Sequence, residues 1–290
     1  MTALPTRDQL LVSTGWLAEH LGDPRLRILD CRYYFDRDSF QVYQEGHVPG
    51  AVYFNWNQAL SDPNNPVDFM IAPPEQVEAA LRRAGVDDDT LIVCYDDEGG
   101  HYSSRVWLVL ARYGRSDQMR ILDGGWTKWL AEGRPVSSEA PQVAPGNFTL
   151  NPSQFQPELI ASLEEVRRAS DDGQSVILDV RRLSEFTGEE VRAKHGGRIP
   201  GAQHLLWNEN LDWSGDRSFH SDDELRERHE QAGLSRETPI ITYCQGAVRA
   251  AHAALALGLA GYQNVRVYDG SWAEWGNRDD LPIETGPARE

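Results

Sequence analysis

Cysteine is scarce. The 290 residues contain three, Cys31, Cys94 and Cys244, with no CxxC pair and no His/Cys spacing of a zinc site. An odd count at such distances supports neither a disulfide framework nor a structural metal, so a reducing compartment is expected. Positive charge is also short: 28 Lys and Arg face 45 Asp and Glu, a formal net charge of −17, and the cations are not clustered. Phosphate backbones need clustered Lys and Arg, which excludes nucleic acid as a partner. Long apolar runs are missing too. Nothing approaches the roughly 18 residues of a membrane span, and residues 1–11 carry no basic flank followed by an apolar stretch. A cytoplasmic protein without membrane contact is the expectation. The cation deficit sets one requirement: a small anionic substrate must find positive charge locally, against the field of the whole chain.

What the chain does have is a repeat. Ile28-Leu29-Asp30-Cys31-Arg32 returns as Ile177-Leu178-Asp179-Val180-Arg181, His47-Val48-Pro49-Gly50-Ala51 as Arg198-Ile199-Pro200-Gly201-Ala202, and Trp56-Asn57 as Trp207-Asn208. Asp123-Gly124-Gly125-Trp126 returns as Asp269-Gly270-Ser271-Trp272, and Trp129 as Trp275. The offsets stay close: 149 residues from Asp30 to Asp179, 151 from Pro49 to Pro200, 148 from Thr90 to Thr238 and 146 from Asp123 to Asp269. Such spacing means that a whole domain was doubled. Within each copy short apolar runs alternate with helix-compatible segments. Strands are predicted over 27–30, 51–54, 90–95 and 120–122, then 175–179, 202–205, 239–243 and 265–268; helices over 74–84, 103–113, 221–232 and 247–260. Continuous apolar strands separated by helices predict an α/β fold, each copy a mostly parallel sheet with helices on both faces. The proline-rich stretch 133–157 reads as a linker. The division expected is residues 1–140, a connector 141–158, and residues 159–290.

One segment concentrates the chemistry. The run 239–243 leads directly into Cys244-Gln245-Gly246-Ala247-Val248-Arg249 and then into an alanine-rich helix, which puts a thiol in a loop at a helix start. Main-chain N–H groups of such a loop, with the unpaired N–H groups of the first helical turn, favour thiolate over thiol. The competing reading is an inert buried cysteine.

Together these segments resemble the two-domain rhodanese family of sulfurtransferases. The likeness is carried by Tyr43 to Phe54 near the start, by Val265 to Trp275 near the end, and by the cysteine loop between, and it runs over nearly the whole chain. It implies double displacement: Cys244 takes the outer sulfur of a small anionic donor, and the persulfide passes it to a thiol or cyanide acceptor, with no metal or organic cofactor. It also implies that the first domain is catalytically silent. Aligning Tyr95 with Tyr243 sets Asp96 opposite Cys244, and the longer acidic loop Asp97-Glu98-Gly99-Gly100-His101 follows. The first domain is expected to be structural and one wall of a pocket between the domains. Cys31 and Cys94 align with Val180 and Thr242, which places no chemistry at either.

Around Cys244, Arg249 is expected to supply fixed charge beside the donor, Gln245 an uncharged hydrogen bond, Gly246 steric freedom where the loop curls, and Ala247 and Val248 open access. Thiosulfate is favoured over 3-mercaptopyruvate as donor. The mercaptopyruvate branches have a loop serine where this chain has Gly246, and an arginine where it has Glu185; Arg181 and Arg182 lie close enough in sequence to substitute. His47 matches the histidine of that branch and Asp36, more loosely, its aspartate, yet His47 reads better as an interior residue capping the Pro49-Gly50 turn. The Asp179–Arg181 pair recurs as Asp30–Arg32 in the silent copy, which argues for a role in holding the fold. A cysteine phosphatase is the alternative from another class, but its loop holds five residues between Cys and Arg where this one holds four. A non-enzymatic sulfur carrier is a second alternative.

Overall fold

In the computed structural model, which describes residues 4–287, ten short strands form two sheets. The first contains β1 (Leu11–Val12), β2 (Leu26–Asp30), β3 (Val52–Tyr53), β4 (Leu91–Tyr95) and β5 (Met119–Leu122), in the order β1-β5-β4-β2-β3. The second contains β6 (Ile160–Ala161), β7 (Val176–Asp179), β8 (Gln203–His204), β9 (Ile240–Tyr243) and β10 (Val265–Tyr268), in the same order, β6-β10-β9-β7-β8. Every pairing is parallel, so each sheet is an α/β unit with crossover helices. The expected α/β duplication is therefore what the chain adopts. Of the N-terminal stretch read for a leader, residues 1–3 lie outside the described residues. Among the described residues no helix is long and apolar enough to cross a membrane.

The predicted helices appear as Pro74–Arg83, His101–Arg112, Asp222–Gln231 and Val248–Leu259. Others were not predicted, among them Ser39–Glu45 and Leu163–Asp172, although both carry N-terminal signals: Asp38 accepts from the Phe40 and Gln41 amides, and Ser162 with Glu165 forms a reciprocal capping box. The edge strands β1 and β6 were also missed, being two residues long.

His101–Arg112 and Val248–Leu259 pack against each other, and each is almost wholly buried. One apolar core therefore runs through both halves, from Leu29, Val106 and Trp107 to Ala251, Leu255 and Val267, while separate clusters around Trp129 and Trp275 fill the outer faces. The site described below sits where this shared core opens at the carboxyl ends of β4 and β9, the usual position for ligands in open α/β sheets.

The duplicated Asp-x-Arg segments brace each sheet identically. Arg181 Nε and Nη2 clasp the Asp179 carboxylate at 2.6–3.1 Å, Nη2 also donates to the Gly197 carbonyl at 2.7 Å, and the guanidinium lies 4.6 Å from the Trp272 ring. Arg32 repeats this with Asp30, the Gly46 carbonyl at 2.7 Å and Trp126 at 4.6 Å. Tyr243 and Tyr95 each donate to the corresponding aspartate at 2.5 Å. Arg181 is 1% exposed and does not line the Cys244 cavity, so the expectation that it binds substrate is corrected: its Nε and Nη2 are spent on Asp179 and the Gly197 carbonyl.

Candidate active site

The Cys244 loop is short because both of its ends are held. β9 ends at Tyr243, the helix begins at Val248, and the carbonyls of Cys244 and Gln245 accept from the amides of Trp272 and Ala273, both at 2.9 Å. Ser271 Oγ accepts from the amides of Cys244 and Ala247 at 3.2 Å and donates to the Tyr268 carbonyl at 2.8 Å. Among the described residues the amides of Gln245, Gly246, Val248 and Arg249 have no protein acceptor. Four main-chain donors are thus left at the mouth of the loop, at the positive end of a 12-residue helix.

The turn that makes this possible lies at Ala247, with φ +59°, and not at Gly246. A left-handed alanine is costly and persists only where its surroundings fix it; here the bond to Ser271 does so. Ala247 is fully buried beneath the loop and does not line the cavity, which corrects the expectation that it borders the substrate and leaves access to the thiol. Gly246 is required for a different reason from the one expected. A Cβ there would lie 2.5 Å from Cδ2 of Phe69, a residue of the first half.

A cavity of about 560 Å³ opens above Cys244 between the halves, a common size for a small-molecule site. The second half contributes Cys244, Gln245, Gly246, Val248 and Arg249, together with Arg182, Arg192 and Trp207; the first half contributes Trp56, Phe69, Glu98, His101 and Tyr102. The acidic loop of the first half is thus one wall, as expected. Trp56 and Trp207, which occupy matching positions of the repeat, serve as walls as well.

Arg249 is not a free cation. Its Nη1 and Nη2 donate to Glu185 at 2.7 and 3.0 Å, and the Glu185 side chain has no solvent exposure. Arg182 and Arg192 approach the same carboxylate at 3.4 and 3.6 Å from more exposed positions. Burial alone would push the Glu185 carboxyl up, but the Arg249 hydrogen bond and the charges of Arg249 and Arg181 outweigh it and hold it down to about 2. Burial likewise opposes the charge on Arg249; the bond to Glu185 and the Cys244 charge overcome this and raise it. The result is three arginines around one buried carboxylate beside the thiol. That answers the requirement for local positive charge in an acidic chain.

The other thiols stand apart. Cys31 and Cys94 are buried in the first half's core and outside the cavity, and burial, followed by the neighbouring Cys94, pushes the Cys31 thiol up. His47 is buried, stacked on Tyr43 at 4.0 Å, with its ring nitrogens near the Tyr43 and Glu139 carbonyls at 2.8 and 3.2 Å. Neither His47 nor the exposed Asp36 lines the cavity.

The matching loop of the first half shows what such a loop does with an anion. At the position of Cys244, the Asp96 carboxylate accepts from the amides of Glu98, Gly100 and Ser103 at 2.9–3.0 Å and from the Ser103 hydroxyl at 2.8 Å. Its main-chain setting is otherwise the same: the Asp96 carbonyl accepts from Trp126 N at 2.8 Å, as Cys244 does from Trp272. The hairpins are exchanged in the same way. Ser61 bridges to Ile71, and that loop carries Phe69 onto Gly246 and Ile71 N onto Asp269 at 2.8 Å; Leu211 bridges to Phe219, and that loop carries Leu211 and Arg217 onto Gly99 and Phe219 N onto Asp123 at 2.9 Å.

Comparison with known proteins agrees with this geometry. A rhodanese-like domain matches twice, over residues 13–132 and 162–278. The 3-mercaptopyruvate sulfurtransferase of Escherichia coli K12 is 35% identical over 280 residues, covering 94% of this chain and 97% of its own. The thiosulfate sulfurtransferase of Corynebacterium glutamicum is 34% identical over 291 residues, covering 95% and 90%. The crystal structure of SseA, a 3-mercaptopyruvate sulfotransferase from Escherichia coli, superposes with a TM-score of 0.80 at 33% identity over 91% of this chain and 99% of that one. The chain belongs to the rhodanese family, with two such domains in tandem, and is an enzyme of the sulfurtransferase type.

Proposed function

We propose that this enzyme moves sulfane sulfur from thiosulfate to a thiol or cyanide through a persulfide on Cys244. The thiolate attacks the outer sulfur of thiosulfate, the S–S bond breaks, and sulfite leaves with the bonding pair, so no proton moves in this half. The observation that carries the reading is the Asp96 carboxylate in the twin loop: a nest of this shape holds an anion on main-chain N–H groups. With Cys244 in its place, the four unspent amides would hold the anionic outer sulfur of a persulfide. Arg249, Arg192 and Arg182 would draw the donor in, and Gln245, Gly246 and Val248 would border it. Residues 1–140 would form the half without a nucleophile, 141–158 the connector and 159–290 the half that carries sulfur, in a reducing, cytoplasmic setting.

Thiosulfate is preferred to 3-mercaptopyruvate as donor on three observations. Position 246 has no hydroxyl, Glu185 stands where a carboxylate-binding arginine was expected, and His47 is turned into the core. A phosphatase is disfavoured because four residues between Cys244 and Arg249 close too small a ring for phosphate.

The test is direct. Incubation with thiosulfate should add about 32 mass units to Cys244, reversibly with thiol, and thiosulfate plus cyanide should yield thiocyanate catalytically. Cys244→Ser should lose both. A single turnover would instead favour a carrier, a larger kcat/KM with mercaptopyruvate would move the donor assignment, and hydrolysis of p-nitrophenyl phosphate would replace the reading altogether.

A further inference from the structure

The half that lacks the nucleophile places a histidine–carboxylate pair in the wall of the Cys244 cavity. His101 Nδ1 lies 2.7 Å from Glu98 Oε2, and both residues line the cavity. The ring is sandwiched between Trp207 and Tyr102, each at 4.5 Å, which fixes its plane. Its other nitrogen, Nε2, has no partner among the described residues. Burial works against ionisation of Glu98, but the bond from His101 and the charges of His101, Arg217 and Arg249 leave its carboxyl below the ordinary value. A carboxylate on Nδ1 fixes the tautomer that leaves Nε2 as the proton acceptor. His101 is the first helical residue after the silent loop, and its counterpart Val248 lines the same cavity from the opposite half.

We infer that His101, oriented by Glu98, is the general base of the acceptor half-reaction, taking the proton from an incoming organic thiol. This rests on the Cys244 persulfide proposed above. The acceptor's S–H proton passes to Nε2, the resulting thiolate attacks the outer sulfur, and a new S–S bond forms from its electron pair. The bond to Cys244 Sγ breaks with its pair on Sγ, regenerating the thiolate. The proton on Nε2 then passes to the transferred sulfur, so persulfide plus thiol gives Cys244 thiolate plus an organic hydropersulfide. The charged and titratable groups facing His101 are Glu98 on its own loop, Arg217 on the hairpin of the second half, Arg249 and Cys244 across the cavity, and His252 beneath it.

The experiment separates the two halves of the reaction. Protein loaded with thiosulfate and desalted is first weighed intact, then discharged by 2-mercaptoethanol or by sulfite, which attacks as a dianion with no proton to lose. His101→Phe, which keeps an aromatic ring between Trp207 and Tyr102, should load normally and discharge to sulfite at the parent rate, while discharge to the thiol slows by about 100-fold. Glu98→Gln should slow discharge to the thiol by less than His101→Phe does and leave discharge to sulfite at the parent rate, because the ring is still present but no longer held by the carboxylate. Parent-like discharge of His101→Phe to the thiol overturns the inference, as does equal slowing with sulfite, which would make His101 a shaping residue only. If the parent itself fails to load, the persulfide reading falls and takes this one with it.

Discussion

Replacing Arg249 by methionine tests how much of the site is held together by one ion pair. The variant leaves the Glu185 carboxylate without solvent and without its bidentate partner, with only Arg182 and Arg192 at 3.4 and 3.6 Å. Breaking such a pair costs about 3–5 kcal/mol, and the residual arginines place this case near the lower end. The carboxyl's displacement from 4.5 to about 2 gives the same order, about 3 kcal/mol. In a chain of this size that is a fall in Tm of about 5 °C. Changing both partners, Glu185→Leu with Arg249→Met, removes the stranded charge and should restore most of the loss, whereas kcat/KM for thiosulfate should stay low because Cys244 has lost its cation. The pH dependence follows from the depressed carboxyl. Its contribution is complete above the unfolded-state value near 4.5 and fades as pH falls through about 2, so between pH 5 and pH 2 the parent should lose about 3 kcal/mol that the double variant, which lacks the carboxyl, does not lose. Thermal unfolding by circular dichroism at pH 7 and pH 3 measures all of this. An Arg249→Met protein that melts with its parent at pH 7, or a double variant no better than the single, refutes the reasoning.

Gly246→Ala should cost about 1–3 kcal/mol through the clash with Phe69, and Phe69→Ala should recover part of it; a double-mutant cycle with no coupling would show that the two do not meet. Arg192→Ala should raise KM for thiosulfate several-fold at low ionic strength and less in 0.5 M salt, read from initial rates, with discharge to sulfite-free thiol unaltered. Asp96→Ala leaves two buried amides, the half-buried Glu98 amide and the Ser103 hydroxyl without their acceptor, so Tm should fall by an amount equivalent to about 3 kcal/mol, while the mass gain at Cys244 in folded protein stays complete.

The parts of this molecule that repeat were readable from the chain, because the second copy controls for the first. Asp30 with Arg32 and Asp179 with Arg181 make the same bonds in both halves, so their structural role followed from recurrence alone. The strands around Cys244 announced themselves as apolar runs, and the loop as an interruption before alanines. What escaped depends on distant partners. Glu185 meets Arg249 across 64 residues, and Phe69 meets Gly246 from the other half. Arg192 sits in a polar loop with no periodicity; its only trace was the rise in repeat offset from 149 to 151, two extra residues between Arg181 and Pro200. Ala247 gave no sign of its left-handed backbone, which Ser271 imposes from 24 residues away.

The crossed hairpins make the two halves poor candidates for independent life. Severed from its twin, the Cys244 half would keep its thiol, its loop and its arginines, yet lose Phe69, Trp56, Tyr102 and His101 in one stroke, turning an enclosed chamber into an open ledge. The twin would fare no better, since Leu211 and Arg217 cap its own loop. Duplication followed by mutual intrusion thus explains how a copy without a nucleophile stays indispensable: it survives as the other's lid.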